Sequence, residues 1–304
     1  MTGARIGRIG TRLTFAATAA LALASCSEKE PAGEKTAVKR YTVPASLDRE
    51  LNNAELDSLS QMRRTHGITR DEYWDGYGGV LANDVLEVWY PDGKLNALQG
   101  MAMIKLASEA RARTQQVFGT VPAERAVIVC AGDIDVYTSS TGRQWWHYSR
   151  IEGDTISIQP PINLHTRGLL TVVGPREYYE WAIGKISKHR APRWIEEGLA
   201  SYLAGEAAVL EELRVDTGGN PIGMSTKEME SALAKESDRQ ETRRAYYNAY
   251  RTVEQIVKAH GEEAMGRFVV ALGANDDLDA ASKAAFAADF DDVVEPARAW
   301  ASTE

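Results

Sequence analysis

Apolar residues at 101, 104, 106, 110 and 117 recur at spacings of three and four, which predicts one long helix over 97–118. Gly119 and Pro122 close it. Before it, 84–90 alternates toward a strand and Pro91-Asp92-Gly93 signals a turn. After it, the unbroken apolar run at 126–130 reads as a buried strand. The segment 141–148 reads as loop and strand, and 155–159 as a strand stopped by Pro160-Pro161. From 164 onward the pattern turns helical, with helices expected at 175–188, 193–214, 226–236, 240–260, 262–273, 277–287 and 291–301. A loop at 218–223 interrupts them. Strands first and helices after them define an α+β class: an N-terminal mixed β-sheet with helices (about 84–165), then a mostly helical C-terminal lobe (about 166–301).

Upstream, leucines at 51, 56 and 59 predict a first helix over 46–65, and the Tyr-, Trp- and Gly-rich 72–79 reads as a loop. The extreme N-terminus follows a different logic. Arg5, Arg8 and Arg12 precede a short apolar run from Leu13 to Leu23, too short to span a bilayer. Leu23-Ala24-Ser25-Cys26 then resembles the lipobox of bacterial lipoproteins. That resemblance implies a signal peptide at 1–25, acylation of Cys26, and a membrane held through a lipid anchor. Ser27 rather than Asp after the cysteine implies passage to the outer membrane, facing the periplasm. Residues 26–45 carry charge and Pro31 and Pro44 without an apolar period, and read as a flexible tether. The folded domain is expected over 46–301.

The chain carries 35 basic and 43 acidic residues, a net of −8. Removing 1–25 takes away three arginines and no acid, so the mature protein is more acidic still, which argues against nucleic acid as a partner. With Cys26 acylated, Cys130 is the remaining thiol; it ends an apolar strand and is expected to be a small core residue. No internal disulfide is then available, so the core must hold the fold.

The chemistry concentrates at 175–202. In the zinc-peptidase motif H-E-x-x-H, two histidines one helical turn apart face the metal and the glutamate activates its water. Here Arg176 and Glu180 hold the two histidine places, Glu177 holds the base position, and Trp194-Ile195-Glu196-Glu197-Gly198-Leu199-Ala200 resembles the W-x-x-E-G-[LF]-A stretch that gives gluzincins their third ligand. The order of elements over roughly 84–301 is also similar to peptidase MA-like domains. The resemblance implies a zincin-like (thermolysin-like) fold and a cleft passing near Tyr246 and Tyr250. It also implies Glu197 as the third ligand position.

The departures decide the expectation. Arg176 stays protonated and cannot ligate a metal. Without zinc, Glu177 has no polarised water to deprotonate. Residues 176 and 180 share a helix face, so Arg176 and Glu180 can pair, and the family's geometry would bring Glu197 to the same guanidinium. Gly174-Pro175 predicts that the motif helix begins at, or kinks at, Pro175. The expectation is a pseudopeptidase that needs no cofactor and acts as a binding or scaffold protein for a protein or peptide partner. The alternative is a working hydrolase, either with zinc on non-standard ligands or with two of these carboxylates as an acid and base pair. A hard cation on Glu177, Glu180 and Glu197 is disfavoured by Arg176 beside them. His165 and His189 lie at no zinc spacing, and Asp276, Asp277 and Asp279 read as helix capping. Trp145 to Tyr148 form an aromatic cluster read chiefly as packing, or as an edge strand where a peptide adds.

Overall fold

Strand β4 (Ala126–Cys130) shows why the sheet forms where it does: its run Ala-Val-Ile-Val-Cys is apolar throughout, as a strand covered on both faces requires. It lies between two parallel neighbours, β3 (Leu86–Pro91) and β6 (Thr155–Ile158), with Val88 opposite Ile128 and Cys130 opposite Ile158. Among the described residues the mixed sheet has the order β1-β2-β3-β4-β6-β5, where β1 is Arg40–Thr42, β2 Tyr77–Ala82 and β5 Ser149–Glu152. The computed structural model describes residues 40–42, 77–83, 85–91, 94–216, 223–236 and 238–301. The expected signal peptide, Cys26, the helix at 46–65 and most of the loop at 218–223 lie outside them.

Helix α1 (Lys94–Phe118) buries Met103, Ile104, Ala107 and Ala110 between the sheet and the central helix α4 (Leu170–Ser187). Two short helices, α2 (Ile134–Thr141) and α3 (Pro161–Thr166), flank β5 and β6 in sequence. The helical half continues with α5 (Arg193–Leu203), α6 (Ala207–Asp216), α7 (Thr226–Lys235), α8 (Arg239–His260), α9 (Glu262–Ala274), α10 (Leu278–Phe286) and α11 (Phe290–Ala301). One apolar cluster runs from Leu86 and Ile128 in the sheet to Trp194, Phe268 and Val294 among the helices. The α+β class is therefore as the pattern predicts. Among the described residues no helix is long and apolar enough to cross a membrane.

Several boundaries differ from the pattern. Arg40–Thr42 falls within the expected tether, yet pairs in parallel with Val80–Ala82. Tyr77–Ala82 is a strand whose first three residues fall in the loop expected at 72–79, and its Val80 and Leu81 are buried. Residues 134–141, where the pattern predicts no element before the loop and strand at 141–148, form α2: Asp133 accepts from the Val136 N–H at 2.7 Å, and Gly142 closes the helix at φ 67°.

Two corrections bear on the site. The motif helix starts at Leu170, not at Pro175, which sits inside it. An interior proline costs a helix about 3 kcal/mol. Burial of Leu170 and Val173 in the core opposes that cost and carries the helix through. The expected helix at 193–214 is broken in two, because Gly205 takes a left-handed φ of 70° between α5 and α6.

Candidate functional site

Helix α4 is buried on every side from Arg176 to Gly184, so its charged residues must be satisfied within the protein. Arg176 is the hub. Its Nη1 lies 2.5 Å from Glu177 Oε1 and 3.3 Å from Glu180 Oε2, and its Nη2 donates to Glu197 Oε2 on α5. Its Nε donates to Ser201 Oγ at 3.3 Å. The same nitrogen sits 3.2 Å from Glu206 Oε2, close enough for an ion pair but without hydrogen-bond alignment. The break at Gly205 is what delivers Glu206 to this point. The guanidinium carbon lies 5.4 Å from the ring centre of Tyr246 on α8, a cation–π distance.

A second arginine extends the network. Arg193 Nη2 reaches Glu197 Oε1 at 2.9 Å, Glu236 Oε1 at 3.4 Å and Glu180 Oε1 at 3.8 Å. Arg143 pairs with Glu236 from the far side, and Tyr246 Oη donates to Glu236 at 3.5 Å. From the sheet, Ser149 Oγ on β5 donates to Glu177 Oε2. Five carboxylates therefore share three guanidinium groups.

That imbalance shows in the titrations. Burial opposes the charge on Arg176, but Glu177, Glu197, Glu206 and Glu180 together outweigh it and raise its pKa. Burial, reinforced by Glu197 and opposed by Arg176, raises Glu180 well above the carboxylate range. Burial likewise raises Glu206, against the pull of Arg176. Burial and the mutual repulsion of these carboxylates thus favour the neutral form of Glu180 and of Glu206. His147, packed beside this network, is pushed down to about 4 by burial and then by Arg143.

The zinc that the motif resemblance implies does not suit these residues. The first ligand position presents a guanidinium, and the carboxylates at positions 180 and 197 are already engaged by it. Among the described residues no three of His, Cys, Asp and Glu are grouped so as to hold a metal ion.

Above the network opens a pocket of about 870 Å³, counting the solvent in its mouth. Arg176, Glu177, Glu180, Glu197 and Tyr246 all line it, so the expected site residues converge. Tyr250 does not: it packs with Leu210 and Tyr247, and its hydroxyl donates to Glu254 at 3.3 Å. His165 and His189 are exposed and away from the pocket. Asp277 caps α10 by accepting from the Asp279 and Ala280 N–H groups, and Cys130 is buried with its thiol pKa raised by desolvation.

Arg193, Glu206, Glu236, Ser149 and Arg143 are functional neighbours that the motif alone does not reveal. Arg193 had a local signal, four residues before Glu197 on one helix face. Gly205 was the only hint of Glu206. The chain matches no protein-family model and no curated protein.

Proposed function

We propose that the chain is a lipid-anchored envelope protein whose peptidase MA-like, zincin-type domain has exchanged its metal for an internal arginine. In this reading it binds polypeptide without cutting it. Arg176 carries the proposal. A permanently charged group fills the position of the first ligand, holds the carboxylates of the second and third, and holds Glu177 as well. Glu177 also accepts from Ser149, so its oxygens are engaged rather than poised on a water. The spacing of Arg176, Glu177, Glu180 and the Trp194–Ala200 stretch supports the ancestry, and Leu23-Ala24-Ser25-Cys26 supports the anchor.

The binding half of the proposal rests on β5. Among the described residues it pairs with β6 alone, and Ser149, Arg150 and Ile151 line the pocket. Gln159 N donates to Tyr148 O at 2.9 Å, which fixes the alternation of the antiparallel ladder. That alternation turns the main-chain groups of Ser149 and Ile151 to the free edge, where an extended segment can add as a further strand.

Elemental analysis of the mature protein in detergent tests the first half. The expected result is no stoichiometric zinc and no peptide cleavage, with Glu177→Gln making no difference. One zinc per chain, with cleavage abolished by a chelator and by Glu177→Gln, overturns it.

A further inference from the structure

The charge of the pocket is opposite in sense to that of the chain. In a protein with more acids than bases, seven arginines and five glutamates line this one opening, with no lysine and no aspartate. Three of the arginines, Arg143, Arg176 and Arg193, belong to the network on the floor.

Arg167 and Arg239 have a different setting. Arg167 lies over the ring of Tyr148 at 5.4 Å, and Arg239 over the ring of Trp145 at 4.8 Å. Each sits at cation–π distance from an aromatic face, and among the described residues neither has a carboxylate in ion-pair range. Arg239 Nε is buried without a hydrogen-bond partner. Trp145 is itself 55% exposed, an uncommon position for so large an apolar ring beside a cleft. A stacked guanidinium keeps its outer N–H fork free and oriented, which is the geometry that reads carboxylates two bonds at a time. Low-dielectric walls around such groups focus their field into the opening.

We infer that the pocket takes an acidic polypeptide segment, extended along the free edge of β5, whose Asp or Glu side chains dock on Arg167 and Arg239. This rests on the polypeptide-binding reading and adds the charge of the partner. A strand presents every second side chain to one face, so acidic residues at alternate positions suit the site best. Loss of the stacked arginines would remove the charge preference while leaving the β5 edge in place.

Fluorescence anisotropy on the mature protein in detergent tests it, with labelled peptides of about ten residues alternating Ala with Glu, Gln or Lys. The Glu peptide is expected to bind at least roughly tenfold tighter than the Gln peptide, and the Lys peptide weakest. The preference is expected to fall with added salt and to vanish in Arg167→Glu with Arg239→Glu, whose thermal melt reports folding. Wild-type salt dependence keeps the test meaningful if that variant fails to fold. Equal binding of all three peptides overturns the acidic preference but leaves polypeptide binding standing. No binding of any peptide overturns both. Binding of an anionic oligosaccharide in place of the peptides assigns the arginines to another ligand class and overturns this inference.

Discussion

Gly198 packs against Ala249 so closely that a β-carbon at position 198 would stand 2.5 Å from the Ala249 carbonyl oxygen. The two nearest atoms are backbone and cannot rotate aside, and a Val253 methyl follows at 2.9 Å. This glycine belongs to the Trp194–Ala200 stretch, and its absence of a side chain is what lets α5 meet α8 and bring Glu197 within reach of Arg176. Gly198→Ala is therefore expected to destabilise the fold by about 1–3 kcal/mol or more, read as a lower urea midpoint with little change in slope.

Removing the hub should cost more. Arg176→Ala leaves four buried carboxylates facing one another, and the loss is expected to be about 3–5 kcal/mol in denaturant unfolding. Arg176→Lys keeps the charge but not the fork that spans Glu177 on one side and Glu197 on the other. It is expected to fall between the wild type and the alanine variant. A neutral effect of Arg176→Ala would show that the network does not hold the helices together.

His147 supplies a pH prediction. Its folded pKa of about 4 lies below the ordinary value of 6.5, because burial and Arg143 disfavour its charged form. Between those values the unfolded chain binds the proton and the folded chain does not. The stability contributed by neutral His147 is thus present above 6.5 and is lost as pH falls toward about 4. Glu180 and Glu206, whose pKa values are raised, act in the opposite sense. Melting curves from pH 7 to pH 4 should therefore show a smaller acid-side loss in His147→Gln than in the wild type. Equal losses would refute the assignment.

The proposed ancestry predicts a gain of function. Arg176→His combined with Glu180→His places two imidazoles one helical turn apart, frees Glu197, and is expected to bind zinc more tightly than the wild type does. Zinc titration followed by thermal shift measures it. The double variant could also lose stability, so the informative comparison is each protein with and without zinc.

Much of this site was readable before any tertiary structure. Arg176 and Glu180 are one turn apart on any helix that contains them, whatever surrounds it, and the Trp194–Ala200 stretch marks where a third carboxylate approaches. Tyr250 went the other way: it shares a helix face with Tyr246, but about 6 Å of rise along the helix and the partners Leu210 and Glu254 keep it from lining the pocket.

What the sequence by itself determined is whatever one segment's own periodicity enforces. The continuous apolar run makes β4, the three-and-four spacing makes α1 and α8, and the order of strands before helices makes the α+β class. The joining of Ser149, Glu206, Glu236 and Arg143 into one network around Arg176 and Arg193 was decided only in three dimensions. These residues are separated by up to ninety-odd positions, and no local pattern encodes which side chains meet. Packing of the core fixes the helix axes first. The left-handed turn at Gly205 then aims Glu206 at Arg176, and the capped end of α7 aims Glu236 at Arg193.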